Sequence, residues 1–370
     1  MSKLRVAVVF GGRSAEHEIS LLSAQNVVAT LDRQKYEPVL IGIDREGRWY
    51  LNEGSMRLLD EADVGRIRLA ADTTPVGLVS TGPTSRLVAN GGDELGTVDV
   101  IFPVLHGPYG EDGTIQGLAK LANIPCVGAG VLGSAVGMDK DVMKRLLRDA
   151  GIAIAPFLVA RAGRGPAPGG GAPSFDRARD ELGLPLYVKP ANLGSSVGIS
   201  RVETEAEYRA AIEEAFTYDR KVLVEQTVRG REIECSVLGN DEPVASVPGE
   251  VVPADGFYSY RAKYVDENGA ELRIPADLTE AQTRVVQDTA VATFEALCAE
   301  GMARVDGFLT SDDVFVVNEI NTIPGFTRIS MYPKLFEASG IPPAELTDRL
   351  IRLAIERHEA EAKLRLTPGE

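Results

Sequence analysis

Arg304-Val305-Asp306 and, after one turn, Val316-Val317-Asn318-Glu319-Ile320-Asn321 decide how the last part of this chain is read. Two apolar runs, Met302 to Leu309 and Val314 to Ile320, flank Thr310-Ser311-Asp312-Asp313, which is the pattern of a hairpin turning near Asp312-Asp313. A register centred there sets Asp306 opposite Glu319 and Arg304 opposite Asn321. Residues i and i+2 share a strand face and directly opposed residues lie about 5 Å apart, so all four groups would converge. Opposed carboxylates repel and need a cation. Oxygens from Asp, Glu and Asn suit a hard ion such as Mg²⁺, which keeps several waters and usually takes substrate phosphates as well, so the hairpin is a candidate nucleotide-metal site. The same residues also suit a partly solvated turn whose acids pair with nearby Arg or Lys. A slip of one residue in register would scatter the cluster.

A chain of 370 residues exceeds one ordinary core, and two or three domains are expected. With 54 acidic against 39 Lys and Arg residues, the net charge of -15 argues against nucleic acid as a partner, because non-specific binding to a phosphate backbone depends on basic surface. The N-terminal apolar run, Val6 to Phe10, is too short for a signal or membrane segment and suits a first strand; a cytoplasmic protein with no membrane partner is expected. Cys126, Cys235 and Cys298 are odd in number and widely spaced, and read as buried small apolar residues rather than a disulfide framework or zinc site. His17, His106 and His358 are the only histidines and form no H-x-x-x-H motif, so a catalytic metal would be oxygen-ligated.

The fold class expected is α/β followed by α+β. Residues 4 to about 135 alternate short apolar runs with helix-like stretches after Ser14 and Thr114, the rhythm of a parallel sheet covered by helices. Ligands in such sheets sit where strands run into loops, and residues 11–18 and 106–113 are loops of that kind. A helical stretch follows from Met138-Asp139-Lys140 to Ala150, then a Gly/Pro-rich loop from Arg161 to Pro173 with no chemistry expected of it. Helix (Ser174 to Leu182), strand (Leu186 to Lys189), glycine loop, strand, helix (Glu205 to Phe216) and strand (Lys221 to Gln226) then make a compact α+β unit. Strands Ile233 to Leu238 and Ala245 to Val252 precede a polar, Tyr-rich stretch from Pro253 to Glu271, long and without periodicity, which is a candidate lid. Thr279 to Glu300 and Pro342 to Leu366 read as helices. The division expected is 1–137, 138–228 and 229–370, with the lid at about 253–271.

Two further segments carry chemistry. Leu186-Tyr187-Val188-Lys189 empties into Gly194-Ser195-Ser196, where small residues let backbone N–H groups approach phosphate oxygens and Lys189 adds a point charge. The spacing is not that of a P-loop, and a tight turn explains it equally. Val222 to Glu232 ends one strand and begins another after a turn; an exposed backbone linker there could pair with an adenine edge, with Glu232 on ribose hydroxyls, or could be an ordinary connection.

GGRSAEHEIS at 11–20, LHGPYGEDGTIQG at 105–117, MDK at 138–140, VKPANLGSSVGIS at 188–200, YRAKY at 260–264 and the RVD and NEINTIPGFT segments occur in an order that resembles the ATP-grasp superfamily and, along almost the whole chain, the D-alanine-D-alanine ligases. The resemblance implies an ATP-grasp fold with an N-terminal substrate-binding domain, a small central subdomain and a C-terminal catalytic domain. It implies ATP and D-alanine as small-molecule substrates, two Mg²⁺ or Mn²⁺ ions with a monovalent cation as a further candidate, and a homodimer. By the same resemblance Asp306, Glu319 and Asn321 hold the metals, and Lys140, Lys189, Ser196 and Lys263 hold phosphates. Glu225 and Val228 meet adenine, and Glu232 meets ribose. Arg304, helped by the Gly325 backbone, stabilises the oxyanion; Glu16 receives the first ammonium, with Ser195 and Tyr264 in one set with it; His106 assists there; and Ser330 and Met331 line the second D-alanine pocket. Met331 departs from the leucine common in that family. A ligase using a D-hydroxy acid as second substrate is the main alternative, and a non-catalytic ATP-binding regulator a lesser one.

Overall fold

A computed structural model describes residues 3–51, 74–80, 85–89, 94–163, 171–253 and 270–365. Its N-terminal part contains β1 (Leu4–Gly11), α1 (His17–Thr30), β2 (Tyr36–Ile43), β3 (Trp49–Leu51), β4 (Thr74–Ser80), β5 (Ser85–Ala89), β6 (Glu94–Thr97), β7 (Val100–Pro103), α2 (Thr114–Leu121) and α3 (Val131–Met138). The sheet runs β6-β5-β4-β3-β2-β1-β7. It is parallel only at β2-β1-β7; from β2 outward every pairing is antiparallel. The reason lies in the connections. A parallel return needs a crossover of about a dozen residues or more, and residues 44–48 between β2 and β3 are too few for one. At the parallel centre both faces are covered: Val6, Val8 and Phe10 pack with Leu21, Ala24 and Val28 of α1, while Ala7 and Val9 pack with Ile115 and Ala119 of α2. The first of these cores also takes in Tyr332, Phe336, Leu346 and Leu350 from the C-terminal part of the chain.

The central unit comprises α4 (Lys140–Asp149), β8 (Phe157–Arg161), α5 (Phe175–Leu182), β9 (Leu186–Pro190), β10 (Ser200–Val202), α6 (Glu205–Tyr218) and β11 (Lys221–Gln226), with sheet order β10-β9-β11-β8. Thr204 and Glu207 form a capping box that starts α6. The remainder holds β12 (Arg231–Gly239), β13 (Val244–Ala245), β14 (Gly249–Pro253), β15 (Ala270–Arg273), α7 (Glu280–Ala296), β16 (Gly301–Leu309), β17 (Phe315–Asn321), α8 (Met331–Ala338) and α9 (Pro343–Ala362), in a sheet ordered β15-β14-β12-β16-β17 with β13 on β12. The strand expected over Ala245 to Val252 is two short strands, because Pro248 has no N–H to donate to a ladder. Cys298 is exposed, contrary to the expectation for all three cysteines, on the turn that ends α7 with φ 52°. Of the Gly/Pro-rich loop, 164–170 fall outside the described residues, as do 254–269 of the expected lid. The lid's two ends are paired strands, Pro253 opposite Ala270.

The β16/β17 hairpin closes with Leu309 opposite Phe315, and that register, continued unbroken, would set Asn318 against Asp306. It is not unbroken. A bulge between Asp306 and Gly307 leaves Asn318 unpaired and sets Asp306 opposite Glu319 and Arg304 opposite Asn321, the pairing expected from the sequence. On the opposite face Ala303, Val305, Val317 and Ile320 pack against Val286, Ala290 and Phe294 of α7. Gly307, beside the bulge, has no room for a side chain: a Cβ there would lie 2.6 Å from the Val316 carbonyl oxygen and 2.8 Å from the Phe315 ring. Gly307→Ala is therefore expected to destabilise the ligand-free protein by about 1–3 kcal/mol, read as a lower urea midpoint. An unchanged midpoint would mean that the hairpin yields at this point without cost.

Candidate active site

A cavity of about 470 Å³ lies between the central and C-terminal sheets, and Lys140, Lys189, Ser196, Glu225, Val228, Glu232, Asp306 and Glu319 all line it. Strand alternation builds its floor. Along β16 the apolar Ala303 and Val305 face α7, so Arg304 and Asp306 face the cavity side. Glu234 of β12 stands opposite Asp306, which in turn stands opposite Glu319 of β17; one step along, Ser236, Arg304 and Asn321 make a second row.

These charges are matched one against another. Arg304 donates through Nε (2.7 Å) and one Nη (2.8 Å) to the two oxygens of Asp306, and its Nε also lies 2.8 Å from Glu234 Oε2. Asn321 Nδ2 donates to Asp306 Oδ2 at 2.8 Å. Glu319 Oε2 is 3.1 Å from Lys140 Nζ, which donates to the Leu193 carbonyl at 2.7 Å. Lys140 opens α4, whose cap Asp139 accepts the Val142 N–H.

Lys189 is held by Asn318, the bulge residue, whose Oδ1 accepts at 3.1 Å, and by the carboxylate of Glu225. Glu225 lies within β11, the strand expected over Lys221 to Gln226, with residues 227–230 joining it to β12, and its other oxygen is 2.5 Å from Lys144 Nζ. Burial alone would raise the Glu225 carboxyl, but the two ammonium groups outweigh it and hold it below the usual carboxylate range. Burial, with Lys189 and Lys140 nearby, brings Lys144 down to about 8 despite Glu225.

Among the described residues no group of three or more His, Cys, Asp or Glu side chains is placed to hold a metal ion. The Asp306, Glu319 and Asn321 set offers two carboxylates and an amide on one face, with Lys140 and Arg304 already seated on the acids. Such a donor set fits a hard divalent ion that brings waters and phosphate oxygens with it, and does not fit an all-protein cage.

A second group of residues meets at the seam with the N-terminal sheet. Glu16 caps the start of α1 and is buried, and the Ser195 hydroxyl donates to its Oε1. Ser195 and Ser196 both take left-handed backbone (φ 53° and 59°), a conformation that costs non-glycine residues and turns the loop sharply at this contact. A Cβ on Gly107, whose backbone is left-handed (φ 75°), would approach Glu16 Oε2 to 3.1 Å, so a side chain there would crowd this carboxylate. His106 is buried and does not face solvent: Nδ1 bonds the Ile323 carbonyl and Nε2 bonds Ser23 Oγ, each at 2.9 Å. Burial holds the imidazole below its ordinary pKa, with Glu16 opposing, so the neutral form donates from Nδ1 and accepts at Nε2. Ser23 also accepts the Phe326 N–H at 3.2 Å, and Glu111 accepts the Gly107 and Ile323 N–H groups, both at 2.9 Å. Burial, with the nearby Glu16 charge, pushes the Glu111 carboxyl up to about 7. The loop tied down in this way carries Gly325, and Ser330 Oγ accepts the Thr327 N–H at 3.0 Å beside it. Met331 is buried against Val251 and Leu335. Lys263 and Tyr264 lie outside the described residues.

Sequence reading missed four residues here. Glu234 was visible in the alternation Glu232-Ile233-Glu234-Cys235-Ser236, and Lys144 in its spacing of four from Lys140 on one helix face. Asn318 depends on the bulge and Glu111 on two distant backbone N–H groups, and neither leaves a local signal.

A family model described as "D-ala D-ala ligase N-terminus" matches residues 5–129, and one described as "D-ala D-ala ligase C-terminus" matches residues 146–352. A D-alanine-D-alanine ligase of Shouchella clausii is 52% identical over 367 residues, 99% of this chain and 98% of its own. Among solved structures, the D-alanine-D-alanine ligase of Coxiella burnetii is 41% identical with a TM-score of 0.86, covering 98% of this chain and 97% of its own. That of Bacillus anthracis, solved as a complex with ATP, is 28% identical with a TM-score of 0.71, covering 97% of this chain and 99% of its own.

Glu111 gives a pH test of the seam. Its folded pKa of about 7 stands above the ordinary 4.5, so its stabilising contribution is fully present below pH 4.5 and is lost as pH rises through about 7. Glu111→Gln should flatten the stability profile across that window, by an amount on the order of 3 kcal/mol at most. Urea unfolding at pH 4.5, 5.5 and 7.5 measures it, and an unaltered slope would remove Glu111 as its source.

Proposed function

The chain belongs to the D-alanine-D-alanine ligase family, and from that premise we propose how its residues divide the work. The enzyme joins two D-alanine molecules at the expense of ATP, through an acyl phosphate, and its dipeptide serves peptidoglycan precursor synthesis. The observation that carries the residue assignment is the cavity lined by Asp306 and Glu319 of the β16/β17 hairpin together with Lys140 and Lys189, with Arg304 and Asn321 in the next row of the same sheet.

One carboxylate oxygen of the first D-alanine attacks the γ-phosphorus of ATP and ADP leaves. The amine of the second D-alanine, once free of its extra proton, then attacks the acyl carbon, and phosphate leaves as the amide forms. Both steps demand positioning and charge neutralisation more than a protein nucleophile, and none is assigned. Glu16, kept in place by Ser195, receives the ammonium of the first D-alanine. Arg304 faces the oxyanion that develops on amine attack, with the Gly325 N–H beside it. Ser330 and Met331 border the second D-alanine. Lys140, Lys189, Ser196 and Lys263 hold phosphates, the backbone at Glu225 and Val228 meets adenine, and Glu232 meets ribose. Asp306, Glu319 and Asn321 would hold Mg²⁺ or Mn²⁺, which supplies charge neutralisation for the phosphates when bound. His106 acts at one remove, by fixing the loop that carries Gly325.

We place the domain boundaries near 137 and 228 and keep the stretch at about 253–271 as the cover that would exclude water from the acyl phosphate, with Tyr264 assigned by resemblance to the set of Glu16 and Ser195. A homodimer in the cytoplasm completes the reading. No helix among the described residues is long and apolar enough to cross a membrane.

Glu319→Gln is expected to lower ligation at least about 100-fold while leaving the melting temperature within a few degrees, since the neutralisation of the transferring phosphoryl group depends on this carboxylate. Near wild-type turnover at limiting Mg²⁺ would remove Glu319 from the ligand set. Product analysis by mass spectrometry tests the substrate reading: with ATP, Mg²⁺, D-alanine and D-lactate near neutral pH, the dipeptide should predominate. Tyr264→Phe removes a phenol able to hydrogen-bond within the Glu16 and Ser195 set and should raise the depsipeptide share, most at lower pH where more of the competing amine is protonated. A wild type that made mainly depsipeptide would overturn the second-substrate assignment, and an unchanged ratio in the variant would take Tyr264 out of it.

A further inference from the structure

We propose that Glu234 is a positioning residue that retains the Arg304 guanidinium when a divalent cation takes Asp306, so that the two members of the Arg304-Asp306 pair can act separately. The inference rests on the reading of Asp306 as a metal ligand. Arg304 Nε stands between two carboxylates, 2.7 Å from Asp306 Oδ1 and 2.8 Å from Glu234 Oε2. Glu234 is only 4% exposed and sits on β12 in register with Asp306, while its partner on the other side, Gly249 of β14, brings no side chain and no competing charge.

The chemistry calls for such a residue. A cation arriving at Asp306 must displace donors that now occupy both carboxylate oxygens, two from Arg304 and one from Asn321. A largely buried guanidinium, 14% exposed on its side chain, is costly to leave without an anion. With Glu234 beside it, Arg304 gives up Asp306 by a small shift and stays on the same sheet face, where the oxyanion forms. Without that carboxylate, Arg304 has more to lose by leaving Asp306 and competes harder with the metal. Glu234 therefore strengthens metal binding at Asp306 without touching metal or substrate.

A double-mutant cycle on the full chain, read as Mn²⁺ binding by electron paramagnetic resonance in the presence of ADP, isolates this coupling. Glu234→Gln should weaken Mn²⁺ binding about fivefold when Arg304 is present and leave it unchanged in an Arg304→Met background. Equal weakening in both backgrounds would overturn the proposal, because Glu234 would then act on the ion by its own charge or as a ligand. No weakening in either background would overturn it too. Asp306→Asn is the control for the underlying reading: if it leaves Mn²⁺ binding intact, the metal assignment fails, whereas if it weakens binding and Glu234→Gln does not, only the role of Glu234 fails. Should Glu234→Gln fold poorly, Glu234→Asp runs the same cycle. It keeps the charge and draws it back from Arg304, so weakening is again expected only where Arg304 is present.

Discussion

Glu234, Asp306 and Glu319 lie in one row across three adjacent strands, and the repulsion among them governs what surrounds them. At a spacing of about 5 Å and an effective dielectric near 20, each neighbouring pair of charges costs about 3 kcal/mol if uncompensated. Compensation comes from two directions. Arg304 rises from the middle strand itself, and Lys140 reaches down from the first turn of α4 in the central unit. The acids thus join the two sheets that bound the cavity, and the position of α4 relative to the hairpin is an electrostatic matter as well as one of packing through Met143 and Leu147.

The hairpin was legible because strand alternation and turn chemistry both appear in the local sequence. Its register came out as expected for a reason the sequence did not display: the turn sits one residue differently from the Asp312-Asp313 centre, and the bulge at Asn318 restores the pairing of Asp306 with Glu319. Bulges answer to packing on both faces, here to Gly307 lying under Phe315 and Val316, and no single-strand pattern reports that. The N-terminal sheet was read as parallel throughout because apolar runs look alike in either direction. The short 44–48 connection alone would have excluded a parallel pairing of β3 with β2. Glu225 lies in the strand expected over Lys221 to Gln226, and its burial there, which no local pattern reports, is allowed by two lysines distant in sequence.

The seam follows a different logic. Its groups are mostly backbone N–H and C=O, satisfied by His106, Ser23 and Glu111 from the N-terminal part and belonging to Ile323 and Phe326 from the C-terminal part. Donor and acceptor roles are consistent around the network with His106 neutral and its proton on Nδ1, the form that burial favours. Asn26 adds a bond to the Phe326 carbonyl, and the Phe102, Phe326 and Tyr332 rings stack edge to face or tilted beneath it. The loop holding Gly325 is consequently anchored to the same element, α1, whose first turn carries Glu16. In our reading the groups that meet the first D-alanine and the group that meets the developing oxyanion share one rigid support, which is what a reaction governed by positioning requires.

The lysines of the cavity show how such a site stays folded without its substrates. Lys189 rests on Glu225 and Asn318, and Lys140 on Glu319 and the Leu193 carbonyl, so both of these lysines, reserved in our reading for phosphate, already have an anion or a carbonyl. Desolvated charges left alone would cost several kcal/mol each. Lys144 extends the same principle one layer deeper. Fully buried and drawn down to about 8, it touches Glu225 and not the cavity, and it keeps that carboxylate charged whether or not Lys189 remains in place. In our reading nucleotide phosphates draw Lys189 away, and Glu225 would then, but for Lys144, be a buried, unpaired anion beside an anionic ligand. Lys144 removes that penalty, so the exchange of a protein carboxylate for a phosphate on Lys189 can run in either direction, as turnover demands.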